Sequence, residues 1–81
     1  MEIINVKYLG DYRLEVIFDD NEIRIADFQE FLFQEHSPMT TQFRDKSRFK
    51  NVQIEFGHLT WEDGQMDISA HSIYDGKFSP K

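Results

Sequence analysis

The sequence predicts an α+β fold: an antiparallel three-stranded meander, a short helix, then a second β-hairpin and a short C-terminal helix. Three observations predict it. Apolar and polar residues alternate in several short stretches, which is the period of a half-buried strand. At Asp27 the alternation gives way to a 3.6-residue spacing. Gly, Asp and Asn stand at the joints, at Gly10-Asp11, Asp20-Asn21, Gly57-His58 and Asp63-Gly64.

Glu2 to Leu9 places Ile4, Val6 and Tyr8 on one side and Asn5 and Lys7 on the other. Tyr12 to Phe18 repeats the pattern with Tyr12, Leu14, Val16 and Phe18. A three-residue loop, Leu9-Gly10-Asp11, sets Tyr8 opposite Tyr12, Val6 opposite Leu14 and Ile4 opposite Val16. A two-residue loop at Gly10-Asp11 would split that apolar face, so the longer loop is expected. A two-residue loop at Asp20-Asn21 then pairs Phe18 with Ile23 and Val16 with Ile25, both on the inner face.

Asp27 reads as an N-cap with Glu30 in the first turn. Phe28, Phe31 and Leu32 follow at i, i+3 and i+4, giving a helix to about Gln34 that Ser37-Pro38 ends. Between Thr40 and Lys50, Thr40 or Thr41 caps a short helix or turn anchored by Phe43 and Phe49. Arg44, Lys46, Arg48 and Lys50 are read as a solvated face that balances the acidic half, with anion contact as the alternative. Val52, Ile54 and Phe56 point inward on the next strand. A type II′ turn at Gly57-His58 sets Phe56 opposite Leu59 and Ile54 opposite Trp61. Asp67-Ile68 is a short last strand, and Ser69 caps a brief helix through Ile73 and Tyr74. One domain is expected over residues 1–75, with 76–81 as a C-terminal tail in which Phe78 can dock.

Eighty-one residues bury a modest core, and eight Phe, three Tyr and one Trp are ample to fill it. The surplus rings either finish their burial at a symmetric homodimer interface or fill the monomer. The formal net charge of −6 is confined to residues 1–41, with nine acids and three bases; residues 42–81 carry six of each. Phosphate backbones repel such a chain, so nucleic-acid binding by the chain itself is not expected; the charge is read first as serving solubility, with a small basic protein partner as the alternative. There is no Cys, which excludes disulfides and thiolate chemistry. The apolar runs are too short for a membrane span, and the first residues lack signal-peptide character. A cytoplasmic location is the default expectation.

His36, His58 and His71 are the histidines, and none has HxH or HxxxH spacing. Asp63 and Asp67 have a simpler use in turns. Ser69-Ala70-His71 lacks an elbow, an orienting acid and a glycine-rich oxyanion hole. The chain is therefore expected to be no enzyme and to hold no metal or cofactor. If it presents a partner or ligand surface, the candidates are Trp61, Asp63, Asp67, Tyr74 and His58. Trp61 opposite an apolar strand residue is read chiefly as core, with a ligand platform as the alternative.

Leu14-Glu15-Val16-Ile17-Phe18, the acidic turn Asp19-Asp20-Asn21, Arg24, Asp27-Phe28, then Phe43, Asp45, Phe49 and Val52, and finally Trp61-Glu62-Asp63-Gly64, Asp67-Ile68 and Tyr74 follow one another in order. Together they resemble a bacterial family of small uncharacterised proteins, the domain of unknown function 2442 family, over about residues 4–75. Asn21 stands where many members have Gly, and Glu62 where many have Pro. The resemblance implies an α+β fold with no established activity. Some members continue into a helix-turn-helix domain, which is not carried over to a chain of this length. Others look like partners of a neighbouring small protein in toxin–antitoxin-like pairs. That implies an antitoxin-like, protein-binding role, beside which a small-ligand or metal-binding domain is the remaining alternative.

Overall fold

A computed structural model describes residues 1–34 and 36–77. The order is β1 (Ile3–Gly10), β2 (Arg13–Phe18), β3 (Ile23–Asp27), α1 (Gln29–Gln34), α2 (Pro38–Thr41), a 3-10 turn (Gln42–Arg44), α3 (Lys46–Phe49), β4 (Gln53–Glu55), β5 (His58–Trp61), β6 (Met66–Ile68) and α4 (Ala70–Asp75). The strands form two antiparallel three-stranded sheets, β1-β2-β3 and β4-β5-β6. This is the expected α+β architecture, with Met66–Ile68 completing the second sheet. The tail beyond Lys77, including Phe78, lies outside the described residues.

Most elements form where the sequence places them, but Ser37-Pro38 starts the short helix α2 as well as ending α1, and three registers differ. In the first hairpin Gly10 faces Arg13, Tyr8 faces Leu14 and Val6 faces Val16. The turn residues are Asp11 and Tyr12, both at positive φ (53° and 65°), as a type I′ turn requires. Bulges at Leu9 and Ile4 absorb the mismatch, so Ile3 is buried opposite Phe18 and Ile4 is exposed.

The second hairpin closes through three residues, Asp19-Asp20-Asn21. The Asn21 amide bonds the Phe18 carbonyl, the Phe18 amide bonds the Glu22 carbonyl, and Asn21 sits at φ 68°. That single extra residue reverses the facing of β3. Ile23 pairs with Ile17 and Ile25 with Glu15, and both isoleucines are more than half exposed. Arg24 and Ala26 take the inner face instead.

In the third hairpin the turn is Phe56-Gly57 (φ 53° and 78°), one residue earlier than expected. Ile54 therefore faces Leu59. Phe56 becomes a turn residue, 85% exposed, and not a core side chain; Ile54 is exposed and Val52 half-buried.

Helix caps follow donor geometry. Asp27 Oδ1 accepts the Gln29 amide, Ser37 and not Thr40 or Thr41 caps α2, Asp45 caps α3, and Ser69 caps α4 through the Ser72 amide.

Both sheets share one core. Leu14, Val16, Phe18, Phe28, Leu32, Phe43, Phe49, Leu59, Trp61 and Ile73 are buried. Trp61 from β5 stacks on Phe49 at 5.6 Å between centroids and meets Phe28 edge-on at 5.7 Å. Its indole N–H donates to the Phe49 carbonyl at 2.7 Å. At the surface, the Ile3 amide donates to the Gly57 carbonyl at 2.8 Å, joining β1 to the β4–β5 turn. Gly57 is needed there: a Cβ would lie 2.7 Å from the Glu2 side chain.

Candidate functional site

Side chains alternate along β5. Leu59 and Trp61 enter the core, so His58 and Thr60 stand on the opposite face. Thr60 pairs with Asp67 on β6 and Gln53 on β4, which share that face. The face is concave, with a volume of about 540 Å³, and its lining includes Glu55, Phe56, His58, Thr60, Asp63 and Asp67. Of the five residues the sequence singles out, His58, Asp63 and Asp67 meet in this groove. Trp61 does not: it is wholly enclosed behind the strand, as the core reading has it. Tyr74 lies elsewhere, on α4. Glu55, Phe56 and Thr60 are among the lining residues that the sequence does not single out. The turn lies one residue earlier than the sequence suggests, which puts Phe56 at the rim.

His58 Nδ1 accepts the Ala70 amide at 2.9 Å. A nitrogen that accepts carries no proton, so the neutral ring has its N–H on Nε2. Thr60 is 4% exposed, and its Oγ1 has no hydrogen-bond partner. Among the described residues no group of His, Asp and Glu is placed to hold a metal ion.

A second feature lies on β3. The Phe18–Glu22 and Phe28–Tyr12 backbone bonds fix the hydrogen-bonded pairs of the β2–β3 ladder. Hydrogen-bonded and non-bonded pairs alternate in antiparallel sheets, so Leu14/Ala26 and Val16/Arg24 are bonded and Ile17/Ile23 and Glu15/Ile25 are not. Ile23 and Ile25 thus turn their N–H and C=O groups away from β2. β3 has no second strand neighbour among the described residues; Arg24 Nη1 donates to the Ile23 carbonyl and lies 3.9 Å from Glu22 Oε2, while Arg24 Nε donates to the Tyr74 carbonyl at the end of α4. Ile25 presents both backbone groups, and an exposed side chain, on an open edge.

A family model described as Protein of unknown function (DUF2442) matches residues 3–79. The chain belongs to the DUF2442 family. No curated protein and no solved structure matches it.

The residues that carry the DUF2442 resemblance have structural duties. Phe43 and Phe49 are core, and Phe49 lies against Tyr8, Tyr12, Phe28 and Trp61. Asp45 caps α3; its carboxyl is held below the usual range, first by the Ser47 hydroxyl and next by the Ser47 amide. Asp63-Gly64 lies in the loop that closes β5 on β6, with Glu62, Asp63 and Gly64 all at positive φ. Tyr74 docks α4 on the first sheet. Its ring meets Phe18 edge-on at 5.0 Å and lies 4.4 Å below the Arg24 guanidinium, and its hydroxyl donates to Asp20 at 3.0 Å. The Glu22 amide and then the Tyr74 hydroxyl hold the Asp20 carboxyl low, and the same bond to Asp20 raises the phenol.

The cationic stretch is largely taken up by the fold. Arg44 Nε donates to the Leu32 carbonyl at 2.6 Å, and its guanidinium lies over Phe33. Lys46 pairs with Asp11 at 3.1 Å beside the Tyr12 ring. Arg48 grips Glu62 with two nitrogens, at 2.6 and 3.3 Å. No helix among the described residues is long and apolar enough to cross a membrane.

Proposed function

We propose that this chain is a non-enzymatic protein-interaction module, that its docking element is the open edge of β3, and that it docks the same strand of a second copy. One observation carries the reading: Ile25 offers an unpaired N–H and C=O on the edge together with an exposed apolar side chain, beside exposed Ile23. Strand edges of this kind are templates for another strand, and soluble proteins ordinarily blunt them. Antiparallel self-pairing centred on Ile25 lets the two Ile25 residues exchange both backbone bonds, and it sets Ile23 beside Asp27 of the second copy. The contact is isologous, as two-fold dimers require. β3 carries one cation and one anion, Arg24 and Asp27, so the seam gathers no net like charge. The absence of nucleophile–base spacing in the sequence and the use of Ser69 as a cap support the non-enzymatic part.

Size-exclusion chromatography with light scattering tests the reading. The wild-type chain is expected to dimerise with rising concentration, and Ile25→Lys to remain monomeric with an unchanged circular dichroism spectrum. A strict monomer at high concentration, or an Ile25→Lys chain that still dimerises, overturns it.

A further inference from the structure

We infer that two edge-paired dimers stack through the outer face of the β1–β2–β3 sheet, so that the partner this face fits is a second dimer of the same chain. The inference rests on the β3 pairing proposed above, and the test below separates the two.

The observation is where the isoleucines lie. The solvent face of an antiparallel sheet ordinarily carries polar side chains. Here Ile17 of β2 stands opposite Ile23 of β3, and Ile25 follows on the same side of β3. Ile23 and Ile25 are more than half exposed, and Ile17 is half-buried. Ile17 and Ile23 form a non-hydrogen-bonded pair, the kind in which facing side chains stand closest. Ile25 lies about 7 Å further along its strand. The three therefore make one patch and are not scattered single residues. α4 leaves this patch open, because it packs on the other side of the sheet, where Tyr74 meets Phe18 and Arg24.

Edge pairing doubles the patch. Antiparallel pairing centred on Ile25 sets a two-fold axis perpendicular to the sheet and keeps both outer faces on one side. Ile25 then meets Ile25 of the second copy. Six isoleucines run diagonally over four adjacent strands, roughly 14 Å across the seam. A contiguous apolar patch of this kind marks an interaction surface.

Charge selects the occupant. The chain carries a net charge of −6, but the outer face of this sheet does not share it. Lys7 and Arg13 stand there with Glu15 and Asp27, two of each sign. A basic partner finds no excess of acid on this face, and an acidic one no excess of cation. A second copy of the face brings the same isoleucines and the same balance of charge, so no like-charge cost selects against it. Sheet faces pack about 10 Å apart with their strands turned by about 30°, which lets isoleucines from the two sides interdigitate. Stacking two such dimers face to face closes at four copies with dihedral symmetry and leaves no apolar face over.

Sedimentation velocity and light scattering on the full chain, across a concentration series, provide the test. The wild-type chain is expected to pass from dimer to tetramer. Ile17→Lys is expected to stop at the dimer with an unchanged circular dichroism spectrum, because Ile17 lies on the middle strand and takes no part in the seam. Ile17→Thr keeps a strand-forming residue and changes four side chains per tetramer, so the dimer–tetramer dissociation constant is expected to rise at least about tenfold. Added sodium chloride is expected to tighten the tetramer by screening the repulsion between like-charged dimers. A wild-type chain that stops at the dimer, with Ile17→Lys dimeric too, overturns the stacking and leaves the β3 pairing standing; so does an Ile17→Lys chain that still reaches the tetramer. A wild-type chain that stays monomeric overturns both. A wild-type dimer that Ile17→Lys reduces to a monomer also overturns both, since it moves the two-fold contact from the edge to the face.

Discussion

In the β1–β2–β3 sheet the face turned from the core carries Ile17, Ile23 and Ile25; in the β4–β5–β6 sheet the outer face carries His58, Thr60 and Asp67. Both sheets have three antiparallel strands, and both cover one aromatic core with their inner faces. What each leaves outside is opposite in kind. The first leaves apolar area and an unpaired backbone edge, which another strand can satisfy. The second leaves a polar face, with Glu55, Asp63 and Asp67 around a Thr60 hydroxyl that is closed off from solvent. An unmet demand on a surface is thus informative through its chemistry: unpaired backbone groups flanked by apolar side chains point to another strand.

The largest expected effect tests whether the sheets depend on each other at all. Trp61→Ala removes the second sheet's contribution to the common core and is expected to cost about 3–5 kcal/mol. Denaturant unfolding followed by circular dichroism measures it, and a loss below about 1 kcal/mol would mean the sheets stand separately. Next is the joint. Gly57→Ala puts a Cβ 2.7 Å from Glu2 at a φ of +78°. The dihedral alone costs about 1–2 kcal/mol. Its urea midpoint should recover partly when Glu2→Gly is added, since only the clash is relieved.

Thr60→Val is smaller and of opposite sign. It removes an unsatisfied buried hydroxyl from the second sheet and is expected to stabilise by about 1 kcal/mol, seen as a higher thermal midpoint. A destabilised variant would show that the hydroxyl already has a partner.

The smallest effect belongs to the Asp20–Tyr74 bond, which is exposed. Asp20 is held below its ordinary value of 3.8, so it favours the folded state above that pH and loses this contribution as acid protonates it. Tyr74 is held above its ordinary value of 10.0, so its contribution is present below that pH and is lost as alkali ionises it in the folded state. The stability gap between wild type and Tyr74→Phe is therefore expected to be widest between the two and to narrow on either side, in a series of urea titrations across pH. A gap independent of pH would assign Tyr74's role to its ring alone.

Much of this fold is legible in the sequence because local chemistry decides it. The period of two at Leu14, Val16 and Phe18, the cap at Ser69 and the change of spacing after Asp27 each act within a few residues. Register is less legible. Burying Ile23 and Ile25 looked favourable, and a two-residue loop would have done it. The left-handed Asn21 closes a three-residue loop instead, and one residue turns both side chains outward. The same kind of slip at Phe56-Gly57 moved an aromatic ring from core to rim. The groove was half visible: His58, Asp63 and Asp67 were named for their chemistry. Thr60 carries no signal in one dimension, because its importance comes from neighbours across the sheet that seal it.

The stacking of Trp61 on Phe49, with Phe28 and Phe43 around it, has a consequence for biosynthesis. Those three rings leave the ribosome before the indole does, and each lacks its contact with the indole until residue 61 emerges. The amino-terminal half is therefore expected to be a client for whatever shields nascent chains, and ordering should come late and all at once.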